Sequence, residues 1–126
     1  MMQFINTDQA PAPGGHYSQG IVHNDVLYVS GQLPIDPDSG EKKHGAIEQE
    51  AIQVLENLEG VLEAAGSSKD KVLRVTLYIS DVTLWDEVNK VYAEFFGNHK
   101  PARTVVPSGE LHHGFKIEID AIAVVK

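Results

Sequence analysis

The chain has 126 residues, 18 of them acidic and 10 basic, giving a formal charge of -8, and it contains no cysteine. Such an excess of carboxylates repels a phosphate backbone unless lysines and arginines gather into a patch, and no such cluster is visible, so nucleic-acid binding is disfavoured. Disulfides, thiol nucleophiles and thiolate metal sites are excluded, and the length suits one domain over residues 1–126.

The first residues, MMQFINTDQAPAPGG, lack the charged start and continuous apolar core of a secretory signal, and no run is long enough to span a bilayer. The expectation is a soluble, cytoplasmic protein without membrane contact. Residues 19–30, QGIVHNDVLYVS, read as a hairpin turning at Asn24 and Asp25, residue types that tolerate the positive φ of a tight turn. Pro34, Pro37 and Asp38-Ser39-Gly40 then break regular structure, and the Lys42-Lys43 pair fits a solvated turn.

Over residues 46–65, Ile47, Ala51, Val54, Leu55, Leu58, Val61, Leu62 and Ala65 recur at three- and four-residue steps, which predicts a helix stopped by Gly66. Residues 72–79, VLRVTLYI, alternate as a strand with Leu73, Val75, Leu77 and Ile79 on its apolar face. Asp81 is placed to cap a second helix, in which Leu84, Trp85, Val88, Val91, Tyr92, Phe95 and Phe96 form a stripe of core character ending at Gly97.

Strands at 102–107 and 115–125 complete the order strand, strand, helix, strand, helix, strand, strand. That order predicts an α+β fold, a mixed β-sheet with two helices packed on one face. The last strand sends Phe115, Ile117, Ile119, Ala121 and Ala123 toward the helices. Its other side carries Lys116, Glu118 and Asp120 and then turns apolar at Ile122 and Val124. A face that mixes charge with uncovered aliphatic residues predicts burial against another subunit.

Arg103 is the residue with the most consequence. An arginine lying in an apolar strand pair cannot neutralise itself by losing a proton, so it needs an anionic partner, either Glu118 or a ligand carboxylate. Were the last two strands a hairpin centred between Glu110 and Leu111, Arg103 would face Glu118 with Cβ atoms about 4.5–5.5 Å apart. On spacing alone that pair reads as an ion pair that holds register.

Several segments together change that reading: YSQG at 17–20, VSGQLPIDPDSGE at 29–41, NLEGVLEAAG at 57–66, VNKVYAEFF at 88–96, PARTVV at 101–106 and KIEIDAIA at 116–123. In order and spacing, from about Pro13 to Val125, the chain resembles the reactive intermediate deaminase (RidA, YjgF) family. The resemblance implies a chorismate-mutase-like fold assembled as a homotrimer with ligand clefts between subunits, where Arg103 and Glu118 would meet through different chains. It also implies hydrolysis of 2-enamine and 2-imine acids of the 2-aminoacrylate type to 2-oxo acids and ammonia, protecting pyridoxal-phosphate metabolism, with no cofactor.

Within that chemistry Arg103 would clamp the substrate carboxylate, while Glu118 would orient water and move protons. Tyr17 matches a position lining the cleft, although a half-buried tyrosine at a strand entrance explains it equally well. Ser30 and Gly31 match an SGQ element that lets backbone approach a ligand, and the same pair occurs in ordinary turns. Asn89 matches a helical asparagine of the family, where a solvated residue is the plainer reading.

The chain departs from the family pattern at His16, where proline is usual, at Val105, a substrate-binding position where cysteine is common, and at PSGELHHG (107–114), which replaces a loop reading roughly EVARLPKD. The adjacent His112 and His113 should point in different directions and be exposed, so no metal site is expected. Two other readings stay open: a non-catalytic trimeric receptor for small carboxylates, and an endoribonuclease or translation inhibitor.

Overall fold

The computed structural model describes all of residues 1–126. Eight regular elements follow one another: β1 (Gln3–Ile5), β2 (Gly20–His23), β3 (Val26–Gln32), α1 (Ile47–Ala64), β4 (Val72–Ile79), α2 (Trp85–Phe96), β5 (Ala102–Pro107) and β6 (Ile117–Val124). They form one six-stranded sheet in the order β1-β2-β3-β6-β4-β5, in which only β4 and β5 run parallel. The expected α+β architecture is therefore present, a mixed sheet with both helices on one face.

Local chemistry accounts for the boundaries. Asn24 and Asp25 take φ of 52° and 63°, the two positive values that a two-residue hairpin turn needs, and they join β2 to β3. At the end of α1, Gly66 at φ 81° donates to the Glu63 carbonyl, and the next amide, Ser67, donates to Leu62 at 2.8 Å. This paired closure satisfies carbonyls that the helix leaves open. Asp81 accepts from the Thr83 amide at 2.8 Å and so caps the 3-10 turn Val82–Leu84 that leads into α2, rather than α2 itself.

The core lies between the helices and the inner face of the sheet. Val54, Leu58, Val61 and Leu62 of α1 meet Leu27, Val75, Leu77, Ile117, Ile119 and Ala123, all essentially buried. Phe115 is buried too, so the alternation of the last strand is realised as expected. Glu50, fully buried on α1, pins the start of β6 by accepting from the Lys116 amide at 2.8 Å. Its second oxygen has only the Lys116 ammonium, at 3.5 Å.

Four further sequence expectations are corrected. The amino-terminal residues form an edge strand, β1, too short to announce itself by periodicity. Leu73 is not in the apolar face of β4. A register shift between Val72 and Arg74 puts Val72 inward and leaves Leu73 48% exposed, as a bulge does. Trp85 is 39% exposed at the head of α2 and stands outside the core stripe.

The fourth correction concerns the site. β5 and β6 are not a hairpin, because β4 lies between them, parallel to β5 and antiparallel to β6. Arg103 is in register with Val75, which faces the helices, and Glu118 with Tyr78 on the uncovered face. Within one chain the two side chains sit on opposite faces, so the register-holding ion pair does not exist.

Candidate functional site

Arg103 emerges from the edge strand β5 toward α2. Its guanidinium donates to Asn89 Oδ1 at 2.9 Å and lies over the rings of Tyr92 and Trp85, 4.7 and 5.4 Å from their centroids. No carboxylate of the chain comes within ion-pair distance: the ion pairs are Lys43–Glu41, Lys116–Glu50 and Lys126–Asp25. A guanidinium has five N–H donors, and one bond to Asn89 leaves a fork free to take a carboxylate in two-pronged fashion. The aromatic faces hold the cation without neutralising it.

Beside this guanidinium is a concavity of about 450 Å³ lined by Asn89, Tyr92, Phe96, His99, Lys100 and Arg103, among others. That is room for a small organic acid. The Tyr92 hydroxyl is buried there with no hydrogen-bond partner. Burial pushes its pKa up to about 12, against a smaller opposing pull from Arg103, so the phenol stays protonated and keeps a proton to donate. An orphaned buried hydroxyl costs about 1–3 kcal/mol unless something binds it.

On the other face of the sheet a second concavity, about 290 Å³, is lined by Tyr17, Ser30, Gly31, Leu33, His112 and Glu118. Burial, then the neighbouring Asp120 carboxylate, raises the Glu118 pKa from its ordinary value and weakens it as an acid, while His112 pulls the pKa down by less. Gly31 makes room for the carboxylate: a methyl group in its place would meet Glu118 Oε2 and displace it. The shift in strand register between Val29 and Gln32 is what brings Gly31 against that carboxylate.

The loop leading to Tyr17 is organised by Gln19, which is buried and makes four bonds, accepting from the Thr7 amide at 2.7 Å and donating to the Thr7, Ala10 and Pro11 carbonyls. Tyr17 is half exposed, and its hydroxyl accepts from the Gly14 amide at 3.3 Å, leaving its own proton unused. Ser30 donates its hydroxyl to the Ser18 carbonyl at 2.5 Å, so toward the concavity it can only accept.

Two groups thus form from the predicted residues: Arg103 with Asn89, and Tyr17, Ser30 and Gly31 with Glu118. Val105 shares the Arg103 face, packs against the core and lines neither concavity. His112 and His113 are exposed as expected, yet they do not diverge. Their rings stack at 3.8 Å and 17°, because His113 at φ 61° turns the chain back on itself. No group of three histidines or carboxylates converges to hold a metal, and no helix is long and apolar enough to cross a membrane. Sequence reasoning missed Tyr92 and Trp85 as neighbours of the cation, having assigned both to the core, and it missed His112 as a neighbour of Glu118.

Comparison with known proteins finds relatives along almost the whole chain. The profile of a family described as Endoribonuclease L-PSP matches residues 7–125. A RutC family protein of Pyrococcus horikoshii is 46% identical over 123 residues, 98% of each chain. The 2-iminobutanoate/2-iminopropanoate deaminase of Rattus norvegicus is 40% identical over 120 residues, 95% of this chain and 88% of the relative. Among solved structures, a member of the Rid protein family from Yersinia pestis superposes with a TM-score of 0.96 at 40% identity, covering 99% of this chain and 100% of the other.

Proposed function

Since the chain belongs to the Endoribonuclease L-PSP family, the YjgF/RidA group, we propose that it hydrolyses reactive 2-imino acids and their enamine tautomers to 2-oxo acids and ammonia. The observation that carries this reading is the Arg103 guanidinium, held between Asn89 and two aromatic rings with no carboxylate of its own chain to neutralise it. Relatives that bear the deaminase name support the same chemistry.

In this reading the Arg103 fork binds the substrate carboxylate, and Asn89 fixes the plane of the fork. Glu118 positions a water molecule against the imine carbon. As the C–O bond forms on the protonated imine, the carboxylate takes one water proton and returns it to the carbinolamine nitrogen; the C–N bond breaks with its electron pair on ammonia, and the hydroxyl proton passes through the carboxylate to that ammonia as the carbonyl forms. A carboxyl whose pKa is raised from its ordinary value suits both directions of that proton traffic, a role typically contributing about 10² to 10⁴ in rate. The imine carbon is already electrophilic, so the step asks for no nucleophilic side chain and no cofactor.

Because Arg103 and Glu118 occupy opposite faces of one sheet, the proposed site is composite, the Arg103 group of one protomer closing over the Tyr17–Ser30–Glu118 group of its neighbour in a homotrimer. The uncovered sheet face supports such an assembly, since Tyr28 and Leu73 are about half exposed on that side of the molecule near Ile122 and Val124. Despite the name of the family profile, RNA cleavage is not our reading: a formal charge of -8 opposes a polyanion.

The test is 2-oxo acid and ammonia formation when a dehydratase generates 2-aminoacrylate beside the protein, with wild type and Arg103→Ala in parallel. Each charge-assisted bond is worth about 1.5–3 kcal/mol, so the variant should fold but lose about 10²-fold or more in kcat/KM. Wild-type protein that binds 2-oxobutyrate but leaves the rate unchanged would make this a carboxylate receptor and overturn the proposal.

A further inference from the structure

The loop before β6 places an imidazole at the Glu118 concavity. His112 lines that concavity and also a larger adjoining one of about 460 Å³ that runs past Tyr17, Gly31 and Leu33 to Pro11, Ile35 and His113. It is the one imidazole bordering the Glu118 concavity, a side chain that can both accept and donate a proton.

The ring is also held. His113 adopts a left-handed conformation that a non-glycine residue takes only at some cost, and the result is the face-to-face stack of the two imidazoles. Beneath them His113 meets the edge of Phe115 at 6.0 Å, and Phe115, almost fully buried, carries His44 stacked at 4.5 Å. A column of rings anchored in the core therefore supports His112 at the rim. Around the stack, Lys42 and His44 from the β3–α1 connection act with His112 on His113, while Asp120 of β6 and His112 act on Glu118.

Resting on the deaminase reading, we propose that His112 is a proton carrier of this site, moving protons between Glu118 and the departing amine. When water adds to the imine carbon its proton goes to the Glu118 carboxylate, and from there to the His112 imidazole. His112 then gives that proton to the carbinolamine nitrogen. The C–N bond breaks with its electron pair leaving on ammonia, the hydroxyl O–H bond breaks to complete the carbonyl, and this last proton returns through Glu118 and His112 to ammonia. Iminium and water become oxo acid and ammonium, with nothing oxidised or reduced. The influence of the His112 charge on the Glu118 acidity accords with such exchange.

The experiment compares wild type, His112→Ala and His112→Gln in the coupled assay, with and without added imidazole. His112 is exposed, so both variants should fold. The expected result is a fall in kcat of about 10-fold or more with KM little changed, and recovery of the alanine variant as free imidazole is titrated in, which a structural role would not give. An active wild type whose His112→Ala variant keeps its kcat, or loses kcat that imidazole does not restore, overturns the proton-carrier role alone. A wild type without turnover overturns the deaminase reading and this inference together.

Discussion

Arg103 and Glu118 project from opposite faces of one sheet, Arg103 in register with Val75 of β4 and Glu118 with Tyr78 of the same strand. A site that uses both must draw them from two protomers, which gives a complementation test. Arg103→Ala and Glu118→Gln homo-oligomers should each be inactive, while co-assembled chains regain activity. With random mixing in a closed ring, an interface needs Arg103 from one chain and Glu118 from the next, so about a quarter of wild-type activity is expected. Mixed oligomers verified by mass that stay inactive would place the two residues in separate functions.

Glycines 31 and 60 are each blocked against a methyl group, but by different things. At Gly31 the obstacle is Glu118 Oε2, the far end of a flexible side chain; at Gly60 it is the Gln9 carbonyl, backbone of the segment that crosses α1. Gly31→Ala should therefore leave the melting temperature nearly unchanged and lower kcat by displacing the carboxylate. Gly60→Ala should lower the melting temperature by pushing the amino-terminal segment off the helix. Thermal melts and turnover on the same preparations check both.

What could be read from the sequence divides along physical lines. Helix α1 and its Gly66 stop, the Asn24-Asp25 turn and the inward side of β6 were legible because period, turn chemistry and burial are local properties. The neighbour of β5 was not. Alternation says which side of a strand is apolar but not which strand lies beside it, and the crossover through α2 lays β5 parallel to β4 rather than against β6. Arg103, Asn89, Tyr17, Ser30, Gly31 and Glu118 were picked out individually by motif, whereas their division between two faces depends on that pairing. The unpartnered hydroxyl of Tyr92 and the ring column under His112 are properties of packing with no counterpart in a local pattern.

The Glu118 carboxyl couples stability to pH. Burial and the adjacent Asp120 raise its folded-state pKa above the unfolded value of about 4.3, so the folded chain holds that proton more tightly than the unfolded chain does. The resulting stabilisation is complete below the unfolded value and disappears as pH rises through the folded one, leaving an ionised, half-buried carboxylate as a cost at neutral pH. Glu118→Gln should melt above wild type at pH 7–8, with the gap closing toward pH 4, while kcat falls by about 10² to 10⁴. A variant less stable than wild type at neutral pH would mean that a cation compensates the carboxylate.

Tyr92 offers a comparable separation of stability from binding. Its hydroxyl is buried without a partner in the concavity of Arg103, while its ring lies under the guanidinium at 4.7 Å. Tyr92→Phe removes the first feature and keeps the second. Relieved of an unsatisfied group worth about 1–3 kcal/mol, the variant should unfold at higher temperature than wild type in the absence of ligand. If the phenol, kept protonated by burial, donates to a bound acid, the same variant should bind 2-oxobutyrate more weakly by calorimetry, because the ligand loses a donor and the aromatic shelf is unchanged. Tyr92→Leu deletes the shelf as well and should weaken binding further by loosening the cation. A Tyr92→Phe protein that melts below wild type would show that the hydroxyl already has a partner in the unliganded assembly, such as a group from the neighbouring protomer, and would remove it from the ligand.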